Sequence, residues 1–287
     1  MQESHWAIGS TVLTAMNPTI IEGGRRLSVS AVLTEYLEFG SLTRHLILRD
    51  IRLRYKHASL GALWVILQPL LPMLIFAAVF ARVLRPSTGG VPYSLYALAG
   101  LVPWSFFSSS VSQGSMAFVS SSNLLTKVYF PRAILPASAI LGSSLDFAIG
   151  GALLCAYSIW NGYLPRLTWL ALPLFALQAI LLAFLVSVGL ATLTALYRDT
   201  KHAMQFLLQL WLYASPVAYS TSIVPSQYRW LFGLNPMTGV LMGFRWALLG
   251  NPVEASLYWT SLATSLAIGI SSFLLFRHFE QIVAERV

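Results

Sequence analysis

Apolar positions in this chain cluster on the scale of whole membrane crossings rather than single helical turns. A helix rises about 1.5 Å per residue and a bilayer core is about 30 Å thick, so a crossing needs roughly 20 mostly apolar residues. Six runs meet or nearly meet that length: residues 62–81, 95–118, Ile134–Trp160, 169–196, 204–219 and 257–276. Gln68 is the only polar side chain in the first run, and Pro69 and Pro72 predict a bend there. The fifth run is the shortest. The pattern predicts an all-α integral membrane protein with six transmembrane helices.

Two further segments have patterns of their own. Ser41 stands after Gly40 as a helix cap, and residues 42–57 contain neither Gly nor Pro. On a helix, Ile47, Leu48, Ile51 and Tyr55 share one face, Arg49, Arg52 and Lys56 fall on another, and Arg54 lies outside both stripes. Such a helix lies in the interface, apolar side toward the acyl chains and cations at phosphate depth. Between the fifth and sixth runs, residues 217–256 are rich in Trp, Phe, Leu and Met, yet Asn235-Pro236 and Gly250 cut them into pieces too short to cross. Re-entrant gate helices fit this segment, and so does an interfacial belt anchored by Tyr228, Trp230 and Trp246.

Composition agrees with the pattern. The chain of 287 residues is 56% hydrophobic and 10% charged, too few charges to clothe a water-facing surface. The net charge of +8 follows topology and does not mark a nucleic-acid partner. Thirteen of the eighteen Lys and Arg lie before run one, after runs two and four, or after run six; Arg82, Arg85, Arg166, Arg229 and Arg245 lie on the alternate side. The positive-inside rule then puts both termini in the cytoplasm. The division is residues 1–57, a cytoplasmic segment with the interfacial helix, and residues 58–287, the six-span domain. The amino terminus lacks the pattern of a signal peptide, and the lone Cys155 excludes a disulfide framework.

Catalytic and nucleotide motifs are missing: the sequence has no GxxxxGK[ST] loop, HExxH or CxxC. Catalytic, cofactor and metal sites are therefore expected on other chains. Asp146 is the only acid well inside a predicted span, to be satisfied through Ser143 or Ser144 and neighbouring helices or to serve a pathway. Ser108, Ser112 and Ser115 recur at helical spacing, which suits close helix approach or a wetted face. The loop at residues 123–132 sets Leu124, Leu125, Val128, Tyr129 and Phe130 between Lys127 and Arg132, an apolar patch with a basic rim that suits docking or interfacial anchoring.

RDIRLRYKHASLGALWVILQP, NLLTKVYFPRAILPAS, SSLDF, YRDTKH and SPVAYSTSIVPSQYRWLFGLNPMTGVLMGFRWALLG, in this order, resemble the permease subunit of bacterial polysaccharide ABC exporters of the ABC-2 type, a family of O-antigen, capsule and teichoic-acid exporters. The likeness runs from about residue 30 to the end. It implies a transporter subunit rather than an enzyme, in the bacterial inner membrane, as a homodimer carrying two cytoplasmic ATPase subunits that bind ATP and Mg. The cargo implied is a lipid-linked polysaccharide moved from cytoplasm to periplasm. An ABC-2 exporter of small drugs or lipids, and a membrane-bound enzyme or assembly factor acting on lipid-linked glycans, are the alternatives.

The resemblance also maps ATPase coupling onto residues 123–132, and if the cargo hangs from a lipid diphosphate, as it implies, Arg49, Arg52 and Lys56 stand where that diphosphate arrives; holding topology and attracting anionic lipid is the alternative role for these cations. Sugars stack their C–H faces on aromatic rings. Trp104, Phe106 and Phe107, with Tyr228, Trp230, Phe244 and Trp246 of the gate segment, are the expected channel and gate contacts.

Overall fold

Backbone in hydrocarbon must bond to itself, and a helix does so within one segment, so the apolar runs fold as helices. A computed structural model describes residues 39–56, 63–83, 88–125, 127, 130–197 and 199–286, which contain helices and short 3-10 turns and no strand. In chain order the helices are α1 (Gly40–Lys56), α2 (Leu63–Val83), α3 (Tyr93–Ser115), the single turns α4 (Ala117–Ser120) and α5 (Ser122–Leu125), α6 (Ile134–Trp160), α7 (Leu172–Leu196), α8 (Thr200–Ala214), α9 (Trp230–Gly233), α10 (Pro236–Leu249) and α11 (Ala255–Arg286).

Three segments are long and apolar enough to cross a membrane among the described residues: Ile134–Trp160, Leu167–Leu196 and Ala255–Glu280. Leu63–Val79 is apolar but shorter. Helix α2 continues through both Pro69 and Pro72. Helix α8 begins before the run that predicted it and stops at Ala214, because Pro216 has no N–H to carry the ladder onward. Helix α11 runs ten residues beyond the predicted end at residue 276, reaching Arg286.

Helix α3 occupies the middle, packed by α2, α6, α7, α8 and α10. That position explains its composition: a helix surrounded by protein needs little lipid-facing apolar surface, so it can hold serines and Gln113. Leu95, Leu98, Phe107 and Val111 are buried along it. The outer helices reverse this, with Leu71, Leu74 and Ile75 of α2, Phe206 and Leu210 of α8, and Ile270 and Phe273 of α11 all exposed. These are side chains for acyl contact.

Small residues set how closely the short helix α10 can approach its neighbours. A Cβ built on Gly243 would stand 2.2 Å from the Phe175 ring of α7, and one on Gly239 would stand 3.1 Å from Ser261 Oγ of α11. The two glycines, four residues apart, let one face of α10 rest on two membrane-length helices. Gly243→Val is therefore expected to destabilise the protein by about 1–3 kcal/mol through overpacking against Phe175. A lower thermal aggregation midpoint in detergent would register it; an unchanged midpoint would show that α10 does not need this contact.

Candidate functional site

A carboxylate at membrane depth must be met by donors, and Asp146 of α6 receives them from α1. Arg54 Nη1 donates to Asp146 Oδ2, and Tyr55 Oη donates to Oδ1. The Arg54 fork continues outward: Nη2 donates to Gln113 Oε1 of α3 at 2.5 Å and to Ser143 Oγ at 3.1 Å. One guanidinium thus joins three helices. Arg54 and Asp146 retain 21% and 23% side-chain exposure, so the pair is desolvated only in part. Burial, then the hydrogen bond to Asp146 and its charge, push the Tyr55 phenol up to about 12. It therefore remains a donor at neutral pH.

Helix α1 packs against α6 at Gly142 with room for a Cβ in ordinary contact. A Cβ there would lie 3.6 Å from Asp50 Cβ and 3.9 Å from Ile51 Cγ1. The inward row of α1 is Ile47, Asp50, Ile51, Arg54 and Tyr55, all part-buried, whereas Leu48 is exposed with Arg49 and Arg52. The expected partition into an apolar and a cationic face is corrected accordingly: Arg54, assigned to neither stripe, lies on the packed one. Its partner could not be read locally, because Asp146 is 92 residues away. The serines expected to satisfy Asp146 do otherwise, Ser144 bonding the carbonyl of Ile140, and Ser143 bonding that of Ala139 while accepting from Arg54.

A second site satisfies broken backbone. After α8 ends, four successive carbonyls are taken by side chains. Arg245 of α10 donates to Pro216 O at 2.7 Å and Val217 O at 2.5 Å; Tyr93 donates to Ala218 O at 2.9 Å, and Tyr96 to Tyr219 O at 3.4 Å. Arg245 is buried, with its guanidinium carbon 3.7 Å from the centre of the Tyr96 ring. Gly100 leaves the space: a Cβ there would stand 2.4 Å from Val217 O. Asn235 locks the same junction, its Oδ1 accepting from Met237 N at the start of α10 and from Trp211 Nε1, and its Nδ2 donating to Ala214 O and Ser215 Oγ. Arg245, counted in the sequence as an outer-side charge, is a core side chain.

The other expected residues fall into separate places. Trp104, Phe106, Phe107 and Phe244 are buried inside the protomer. Phe107 meets Trp211 edge-on at 5.1 Å, and Phe147 lies between Phe106 at 4.3 Å and Phe244 at 5.9 Å. Trp246 is half-buried against Phe175, and Tyr228 and Trp230 are exposed. Arg49 is exposed and pairs with the adjacent Asp50 at 2.8 Å; Arg52 is exposed; the side chain of Lys56 lies outside the described residues. In the expected coupling loop, Lys127 is exposed, Leu124, Leu125 and Arg132 are part-buried, and Phe130 is buried rather than displayed. Val128 and Tyr129 lie outside the described residues, as do residues 1–38 and His57.

Residues 41–249 match the ABC-2 type transporter family. Over 213 residues the chain is 30% identical to the O-antigen export system permease protein RfbA of Myxococcus xanthus, covering 74% of this chain and 81% of that one. It is 26% identical over 230 residues to an RfbA of Klebsiella pneumoniae, covering 78% and 88%. The polysialic acid transport protein KpsM of Escherichia coli is 24% identical over 234 residues, covering 79% and 90%.

Both sites generate stability predictions. In a double-mutant cycle, Arg54→Met should destabilise more than the Arg54→Met, Asp146→Leu pair, with a coupling of about 1–3 kcal/mol, because the single change strands a carboxylate. Additive losses in thermal midpoint would mean that the pair is not a coupled unit. At the second site, Arg245→Met should cost about 1–3 kcal/mol for each of the two carbonyls it leaves unpaired, and Arg245→Lys should recover part of that by reaching one. Equal midpoints for the methionine variant and the wild type would show that the 216–217 carbonyls find other donors.

Proposed function

The chain belongs to the ABC-2 type transporter family, and on that premise we propose that it is the permease of an exporter of O-antigen or capsular polysaccharide. It is a transporter component, not a catalytic enzyme. The observation that carries the reading is coverage: the relatives named for O-antigen export and polysialic acid transport align over 81–90% of their own length. A shared short motif would support much less. Glycan transport in all three names favours a glycan cargo over small drugs.

The finer reading is ours. Six spans with both termini in the cytoplasm pair as a homodimer and carry two ATPase subunits, which bind ATP and Mg. Lys127, an exposed cation beyond α5, marks the face where Leu124, Leu125, Val128, Tyr129 and Arg132 meet that ATPase. Arg49 and Arg52, outward on α1, are placed to fork onto the diphosphate of an arriving lipid-linked glycan, with Lys56 beside them and Arg49 exchanging its contact with Asp50 for the phosphate. Tyr228 and Trp230, exposed beside α9 and α10, offer ring faces to sugars at the outer end. Helices α9 and α10 serve as the gate.

Deletion with complementation tests the reading. Removing the chain should leave lipid-linked polymer in the cytoplasmic leaflet, and the wild-type gene should return it to the cell surface. Tyr129→Ala should insert and dimerise without restoring export, and the Arg49→Lys, Arg52→Lys double variant should restore it only in part. Normal surface polymer in the deletion strain would sink the function, and full restoration by either variant would remove its assigned role.

A further inference from the structure

Three polar signals stand far apart in the sequence: Gln68, the only polar side chain in the apolar run 62–81, the serine tract of α3, and Asp146 of α6. The fold brings them to one cleft, of about 30 Å³, between these helices. Gln68, Ser105, Ser109 and Asp146 line it, together with Phe106 and Phe147, whose rings stack at 4.3 Å. The serines that face it are not those of the 108, 112 and 115 row. Ser115 is buried and bonded to the Ser112 carbonyl, whereas the row 105, 109, 113 looks toward Gln68 and the Arg54 clasp.

Gln68 is exposed and Ser105 half-buried, and among the described residues neither has a hydrogen-bond partner. Several other helix serines bond a carbonyl three or four residues back, as Ser138, Ser143, Ser158 and Ser265 do. An open amide and hydroxyl against acyl chains would be costly, because hydrocarbon returns no hydrogen bonds. This wall is built to meet something polar. The cleft has room for about one water-sized group, so it grips an edge of a ligand and not a whole ring.

We propose that this cleft is a sugar-hydroxyl subsite on the export path. The Gln68 amide gives and takes hydrogen bonds, Ser105 and Ser109 do the same more weakly, and lone pairs of Asp146 not used by Arg54 and Tyr55 accept from a hydroxyl. Phe106 and Phe147, stacked face to face, wall the apolar side of the cleft. A single-hydroxyl grip binds weakly, as a moving polymer requires. The assignment rests on the glycan reading above. It replaces Trp104 and Phe107, which the core consumes, with polar contacts on the same helix.

Thiol accessibility tests it in the assembled exporter, in membranes, with Cys155→Ala as background. Gln68→Cys and Ser105→Cys are to be labelled with a permanently charged methanethiosulfonate, in a host making the lipid-linked polymer and in one blocked in its synthesis. Both thiols should react in the blocked host, and polymer should slow them about tenfold, the protection expected where occupancy is about nine-tenths. Leu74→Cys, on the exposed apolar face of α2, should show no dependence on polymer. Two results overturn the proposal: no reaction at either position, which would mean that acyl chains or a second copy of this chain cover the cleft, or equal rates with and without polymer. Indifferent thiols in a strain whose deletion does accumulate polymer defeat this subsite alone, whereas no accumulation on deletion defeats the glycan reading beneath it.

Discussion

Everything in this protein is arranged around one constraint: a polar group at membrane depth has no water to return to, so the protein must supply its partner. The two arginines that answer it do so differently. Arg54 neutralises a carboxylate, binding charge to charge and fastening the interfacial helix α1 to α6 and α3. Arg245 has no acid among its contacts and spends its donors on the Pro216 and Val217 carbonyls, with the Tyr96 ring beneath its charge. Guanidinium suits both tasks because it presents several donors in a fixed plane, whereas an ammonium offers a point charge on a flexible stem. The first arrangement fixes α1 against the bundle, and the second permits an irregular turn where α8 gives way to α9 and α10.

Much of this was legible in the sequence where the cause is local. The run Ile134–Trp160 is a helix with those same ends, and the Asn235-Pro236 break does start a new helix, because Asn235 caps it and proline at its first position loses no bond. The errors are where the cause is distant. The end of α8 was placed too late because its last apolar residues look helical, although Pro216 and four captured carbonyls hold them in a turn. Arg54 was set aside because it fits neither stripe of its own helix, and the reason it is there lies on α6. Arg245 looked like one more loop cation. The TGVLMGFRW stretch did hold a signal, since its glycines four apart announce a helix packed closely on its neighbours, the setting in which Arg245 is buried on another face of it.

Aromatic residues show why side-chain type alone misleads in a membrane protein. Trp104, Phe106 and Phe107 sit within one turn of the central helix, and a ring there has three fates: core, lipid or pathway. Because α3 is packed on most sides, the core takes them, and Trp211, Phe147 and Phe244 complete the clusters. Tyr228 and Trp230, by contrast, remain open, as do Phe206 and Phe273 on the outer faces of α8 and α11.

Polar side chains sort in the opposite sense, and that asymmetry carries information. An exposed leucine in α2 or α11 costs nothing against lipid, so its exposure says little. An exposed glutamine does cost, and among the described side chains of α2 the open positions other than Gln68 are apolar. Its position opposite Ser105, Ser109 and the Asp146 end of the arginine clasp therefore needs a polar medium on that side of the bundle. The register of α1 on α6 is held by Arg54 and Tyr55, and both end on the carboxylate that lines this cleft. The clasp thus does more than hide a charge: it ties the packed row of α1 to the wall of a polar cleft.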